Sequence, residues 1–304
     1  MTSFKWLACF VLAVTMVPAL AAKTHCPGNV ASVPLHVLNG YLMIVPVSIN
    51  HSGPYQFLLD TGTQTTTIDR SLAVELGLTT QGEESIAGVG FQTSASSAQI
   101  NLLEIGPHTV ANLKALVYSL HHLRSSGLNI QGVLGEDFLE HFDVLIDNAH
   151  GLLCLDDSAA MRAGVKGPHL SLVTAAQTPD GALLSRSLIV EARLSDAKRP
   201  VRLWLDSGTN VPFLYNPSKY LALRMTQSTL DPGTGGNGQQ RAYVALPAQD
   251  LRIGPLELPN VAFFTFAGGS NDPLISEFDG LLTTGLFGRI FICHAQHFVE
   301  LEPR

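Results

Sequence analysis

Charge is scarce in this chain. Only 14% of its 304 residues are Asp, Glu, Lys or Arg, and the 18 basic residues are outnumbered by 25 acidic ones, giving a formal net charge of −7. No cluster of Lys and Arg interrupts that balance, so nothing here offers the basic face that a nucleic-acid partner requires. Cysteine is scarce too, with four residues whose spacing matches neither a zinc site nor a paired-thiol redox motif. A phosphate-binding glycine loop is also missing. The run Gly233-Thr234-Gly235-Gly236-Asn237-Gly238 has no Gly-Lys-Ser/Thr ending and no helical pattern after it. The pairs His121-His122 and His294/His297 lack a third ligand at recognisable spacing, which predicts surface or strand-edge histidines and no metal site. Nothing calls for a cofactor.

Long apolar runs are absent after the first 22 residues. Before that point, Lys5 precedes the apolar stretch Trp6–Val17, and Ala19-Leu20-Ala21 provides small residues for cleavage. This is the pattern of a secretory signal over residues 1–21, since a membrane span needs about 20 apolar residues and Pro18 cuts this run short. Its removal takes away Lys5 and no acid, so the mature charge becomes −8 (−7 − 1). The expected location is secreted or periplasmic, without stable membrane insertion. Cys9 leaves with the signal, and Cys26, Cys154 and Cys293 remain. At most one internal disulfide can form, and the sequence does not choose the pair; the default for Cys154 and Cys293 is a small buried side chain within a strand.

What is present is a strand-rich, turn-rich chain, 46% hydrophobic with 27 glycines and 17 prolines. One stretch occurs twice. Phe57-Leu58-Leu59-Asp60-Thr61-Gly62-Thr63 and Leu203-Trp204-Leu205-Asp206-Ser207-Gly208-Thr209 each drive an apolar strand into Asp-(Thr/Ser)-Gly-Thr, with the aspartates 146 positions apart (206 − 60). The echo extends further. Ile105-Gly106-Pro107 returns as Ile253-Gly254-Pro255, and Gln131–Leu139 returns as Asp279–Phe287, both at an offset of 148. The period is far longer than a solenoid's, and it predicts two copies of one β-rich unit. Those lobes span residues 22–157 and 168–304, joined by a linker over 158–167 where apolar patterning lapses.

Within the first unit, His51-Ser52-Gly53-Pro54 reads as a hairpin turn feeding the first Asp loop, and Asp69–Gly77 as a capped short helix. Residues Glu84–Leu103 read as a long hairpin with its tip at Gly88-Val89-Gly90-Phe91. Glu136, Asp137, Glu140 and Asp143 read as a solvated face around a short helix. Two lobes related by an approximate two-fold would set Asp60 against Asp206, and two carboxylates at contact distance share a proton because both cannot ionise cheaply.

On these residues the chain resembles the pepsin-like and retropepsin-like aspartic peptidases, with Val133-Leu134-Gly135 similar to the hydrophobic-hydrophobic-Gly segment that packs behind the active-site loop. The resemblance implies an all-β, bilobal acid-protease fold with two barrel-like lobes, acting on a peptide or protein as a monomer. It makes Asp60 and Asp206 the catalytic pair, Thr61 and Ser207 a hydroxyl network beneath them, and Gly62 and Gly208 the turn residues. Thr63 and Thr209 would donate to the outer carboxylate oxygens, which implies an acidic optimum. Gly88, Val89, Gly90, Phe91, Gly235 and Gly236 would belong to flaps over the substrate. The second segment reads Leu281-Leu282-Thr283, a departure that leaves the supporting loop altered and keeps a second possibility open, a peptide-binding or inhibitor module with the same fold.

Overall fold

A computed structural model describes residues 25–88, 91–125, 127–173, 186–221, 230–234, 240–267 and 277–304. The signal over residues 1–21 lies outside the described residues, as do Val89, Gly90, Gly235 and Gly236. Among the described residues no helix is long and apolar enough to cross a membrane.

In the first half, Leu42–Ile49 and Ser52–Leu59 form a hairpin. The turn falls at Asn50-His51, three residues ahead of the Gly53-Pro54 pair, and both residues have positive φ, 49° and 65°. Two such residues give a turn whose twist matches the strands, and Asn tolerates that conformation well. Asn50 also bonds to the neighbouring strand, where its side-chain oxygen accepts the Leu102 N–H at 3.0 Å. The helix Arg70–Glu75 is capped by Asp69, as its sequence predicts, and Asp69 also accepts the Leu120 N–H at 2.8 Å. The long hairpin forms from Thr80–Gly88 and Phe91–Ile105, with Gly88 opposite Phe91.

The decisive local feature is a strand inserted between the two arms of the Asp loop. Gly132–Leu134 runs parallel to Ser52–Leu59, pairing Phe57 with Gly132, and antiparallel to Thr67–Asp69, pairing Ile68 with Gly132. Glycine is required at 132 because a Cβ there would stand 2.1 Å from the Phe57 ring. The second half repeats this register. Gly280–Thr283 runs parallel to Val201–Asp206, pairing Leu203 with Gly280, and antiparallel to Phe213–Leu214. A Cβ at Gly280 would stand 1.9 Å from the Phe213 carbonyl oxygen.

Described strands form an eight-stranded and a nine-stranded sheet, one around each loop, and a six-stranded sheet that draws on both halves. At the centre of the shared sheet, Asp143–Asp147 pairs antiparallel with Phe287–Cys293 and sets Leu145 opposite Phe291, its counterpart at offset 146. A strand paired with its own duplicate marks the approximate two-fold axis. One continuous apolar core runs from Phe57, Ile68 and Phe138 to Leu203, Phe213 and Leu282. At the shared sheet's edge, Ser32–Pro34 pairs with Leu152–Asp156, and a Cys26–Cys154 disulfide closes 128 residues of chain. Cys154 is therefore not a free core thiol, whereas Cys293 is free and buried.

Candidate active site

The two Asp loops meet at the axis and hold each other through four hydrogen bonds. The Thr61 N–H donates to Ser207 Oγ at 3.0 Å, and the Ser207 N–H donates to Thr61 Oγ1 at 3.1 Å. Each hydroxyl then donates to the carbonyl before the opposite aspartate, Thr61 to Leu205 at 2.9 Å and Ser207 to Leu59 at 2.7 Å. Both side chains are fully buried. Every donor and acceptor in this clasp is paired, which a buried polar cluster requires.

Above the clasp each carboxylate lies over the other loop's glycine. A Cβ at Gly62 would stand 2.5 Å from the Asp206 carboxyl carbon, and one at Gly208 would stand 2.6 Å from that of Asp60. Only glycine permits that approach. The two carboxyl groups lie close enough to titrate as a pair. Asp60 accepts the Gly62 N–H at 2.8 Å and the Thr63 hydroxyl at 3.1 Å, and Asp206 accepts the Gly208 N–H at 2.7 Å. Burial pushes the Asp60 carboxyl up despite the Gly62 and Thr63 donors. Burial, then the adjacent Asp60 charge, pushes Asp206 well above the usual carboxylate range. Both carboxyls are thus pushed up, and the pair shares one proton and titrates as a unit.

Thr209 departs from the expected arrangement. Its hydroxyl donates to the Val211 carbonyl at 3.1 Å instead of to Asp206, and the Thr209 backbone N–H is the part of that residue turned toward the carboxyl. The acidic optimum inferred from two hydroxyl donors thus retains one of them, Thr63.

Three supporting features escape a reading of the sequence. Trp204, in the strand leading to Asp206, donates its indole N–H across the lobes to the Thr61 carbonyl at 3.0 Å. Its counterpart at offset 146 is Leu58, so the duplication gives no hint of it. The acidic residues after Gly135 are a solvated face only in part, at Glu140, which is partly exposed and pairs with Arg186 at 2.7 Å. Glu136 and Asp143 are buried, and Asp137 accepts the Thr66 N–H at 2.9 Å and the Thr66 hydroxyl at 2.6 Å. Asp143 binds Arg162 at 2.6 Å. Glu136 bonds His294 Nε2 at 2.8 Å, and His294 Nδ1 lies 2.7 Å from the Phe142 carbonyl oxygen, so His294 is a cross-half partner and not a surface histidine. Burial raises Glu136 against that bond. Burial alone would lower His294, but Glu136 beside it raises it overall. The Glu136 backbone N–H meanwhile holds the Thr63 carbonyl at 2.9 Å, tying this pair to the first Asp loop.

Of the flap candidates, Gly88 and Phe91 pair at the described end of the first hairpin. In the second half, Leu230–Thr234 and Gln240–Ala245 form a hairpin closed by Thr234 opposite Gln240, with Gly235 and Gly236 beyond the described part. Among the described residues no group of three or more His, Cys, Asp or Glu side chains is placed to hold a metal ion.

Comparison with known proteins agrees with this geometry. Residues 45–138, which carry Asp60 and Gly132–Gly135, match the family model described as aspartyl protease. No curated protein matches the chain by sequence. The solved aspartic proteinase from Irpex lacteus is similar over 90% of this chain and 97% of its own, at 11% identity and a TM-score of 0.54. A retropepsin-like aspartic protease from Rickettsia conorii is matched over 41% of this chain and 90% of its own, at 22% identity and a TM-score of 0.32. The chain thus has the all-β, two-lobed fold of the pepsin-like aspartic proteases, and its first lobe carries the aspartyl protease sequence signature.

Proposed function

We propose that this protein is an exported aspartic endopeptidase that cleaves peptide bonds with a water held between Asp60 and Asp206. The observation that carries the reading is the reciprocal approach of the two loops, which sets each carboxylate over the other loop's glycine. A dyad sharing one proton is the established logic of aspartic proteases. Asp60, whose carboxylate accepts both the Gly62 N–H and the Thr63 hydroxyl, takes a proton from the water as it attacks the peptide carbonyl carbon. Asp206 donates its proton to the carbonyl oxygen, and the tetrahedral diol collapses when a proton reaches the leaving nitrogen. Water supplies the oxygen of the new carboxylic acid, so no covalent enzyme intermediate forms.

The hairpins ending at Gly88–Phe91 and Thr234–Gln240 are the proposed flaps, and an extended peptide between them would bond through its backbone. Two lobes in one chain let a monomer complete the site. The signal pattern over residues 1–21 supports a secreted or periplasmic location.

The test is hydrolysis of a diverse peptide library from pH 3 to 8 by the full chain, by Asp60→Ala and by Asp206→Ala. The proposal expects cleavage by the parent and loss of at least about a thousand-fold in each variant. A folded parent that cleaves nothing, or a variant that keeps parental activity, overturns it.

A further inference from the structure

The duplication lets each lobe serve as a control for the other, and one position behind the active-site loops differs in an informative way. In the first lobe the loop's return strand supplies a hydroxyl. Thr66 Oγ1 donates to Asp137 at 2.6 Å and accepts the Gly135 N–H at 3.1 Å. The Thr63 carbonyl is held separately, by the Glu136 N–H at 2.9 Å. Position 135 has no room for a side chain, since a Cβ would stand 2.9 Å from the Thr66 nitrogen and 3.0 Å from the Thr63 oxygen.

In the second lobe all three members of this bracket have changed. Pro212 stands where the first lobe has Thr66 (offset 146), Gly285 where it has Asp137 and Thr283 where it has Gly135 (both offset 148). Proline offers neither a hydroxyl nor an N–H, and glycine offers no carboxylate. The hydroxyl has moved across the gap to the supporting strand. Thr283 Oγ1 donates to the Thr209 carbonyl at 2.7 Å and accepts the Gly285 N–H at 3.1 Å. The side chain is buried and its hydroxyl acts as both donor and acceptor. Its partner, Thr209, is the loop residue whose own hydroxyl goes to Val211.

We propose that Thr283 is a positioning residue for Asp206, holding the second loop from behind so that Thr209 presents its backbone N–H, and not its hydroxyl, to the carboxylate. The departure from the hydrophobic-hydrophobic-Gly pattern is then a replacement brace for the one lost with Thr66 and Asp137. It also makes the dyad unequal. Asp60 receives a hydroxyl and an N–H, whereas Asp206 receives the Gly208 N–H, and among the described residues the carboxyl set against it is that of Asp60. The catalytic consequence rests on the dyad reading above; the bracing does not.

Two measurements in the full chain test it. Carboxyl-carbon NMR of Asp206 across pH reads its titration whether or not the protein is a peptidase. Thr283→Val removes the hydroxyl at constant shape, frees the Thr209 carbonyl and lets the Thr209 N–H withdraw, so Asp206 titrates about half a unit or more higher. Thr283→Ser restores the parental value. Where the parent hydrolyses peptides, the basic limb of kcat/KM moves the same way in Thr283→Val and kcat falls roughly ten-fold with KM held. Unchanged or lowered titration in Thr283→Val overturns the proposal, whatever the melting temperature does. Amide exchange in the parent needs no variant to fold: the Gly285 N–H is expected to be protected, and exchange at the rate of an exposed amide overturns the brace. A parent without hydrolytic activity refutes the proposed function and leaves both measurements standing.

Discussion

The clasp between Thr61 and Ser207 makes a quantitative demand on stability. Thr61→Val keeps the shape of the side chain and removes Oγ1, which accepts the Ser207 N–H at 3.1 Å and donates to the Leu205 carbonyl at 2.9 Å. The site is fully buried, so no water replaces what is lost. An orphaned buried N–H costs about 1–3 kcal/mol and a weakened carbonyl about 1 kcal/mol more, which gives about 2–4 kcal/mol for the variant. Ser207→Ala removes the mirror-image pair, with Thr61 N–H at 3.0 Å and the Leu59 carbonyl at 2.7 Å, and should cost a similar amount. The two losses are not independent. Once one hydroxyl is gone the loops separate, and the other makes a poorer bond. The double variant should therefore be more stable than simple addition predicts, by about 1–2 kcal/mol. Urea unfolding of the parent, both single variants and the double variant measures the cycle. Strict additivity, or single costs below about 0.5 kcal/mol, would show that the loops do not hold each other as described.

Two further perturbations bear on the site and its frame. Thr63→Val removes the hydroxyl donor to Asp60, so the ionised form loses support and Asp60 titrates higher. The acid limb of kcat/KM should move up by about half to one unit, and a fixed limb would remove Thr63 from the account. Reducing the Cys26–Cys154 disulfide frees a closure of 128 residues, worth roughly 4–5 kcal/mol by chain entropy and commonly about 2–5 kcal/mol when a native bond is lost. Reduced parent and a Cys26→Ala/Cys154→Ala variant should unfold at the same lowered urea midpoint, and no difference from the oxidised parent would refute a stabilising bond.

The main frame was legible because its causes are local and repeated. An apolar strand entering Asp-(Thr/Ser)-Gly-Thr twice at offset 146, with Gln131–Leu139 returning as Asp279–Phe287, is a pattern no single loop could supply. What the residues could not reveal depends on who meets whom in space. Glu136 and Asp143 read as solvated because charge is normally exposed; their partners, His294 and Arg162, lie 158 and 19 positions away in sequence. Cys26 and Cys154 become a pair only once Ser32–Pro34 is laid beside Leu152–Asp156. The hydroxyl of Thr209 looked equivalent to that of Thr63 because their tetrapeptides nearly match. The difference arises 74 positions later, where Thr283 captures the Thr209 carbonyl.

The fold presses two carboxylates together until they share a proton. Comparing the unfolding free energy of the parent with that of Asp206→Asn from pH 4 to 8 tests this without a substrate. Both aspartates have folded pKa values raised above those of the unfolded chain. Their contribution to stability is therefore present in acid, below the unfolded carboxylate pKa, and is lost as pH rises through the raised folded values. The asparagine carries no such charge. The variant should match the parent closely near pH 4 and gain on it steadily toward pH 8, by roughly 1.4 kcal/mol for each unit of upward shift in the parent's dyad. Two curves that run parallel across the whole range would contradict the shared proton, and with it the reading of Asp60 and Asp206 as one site.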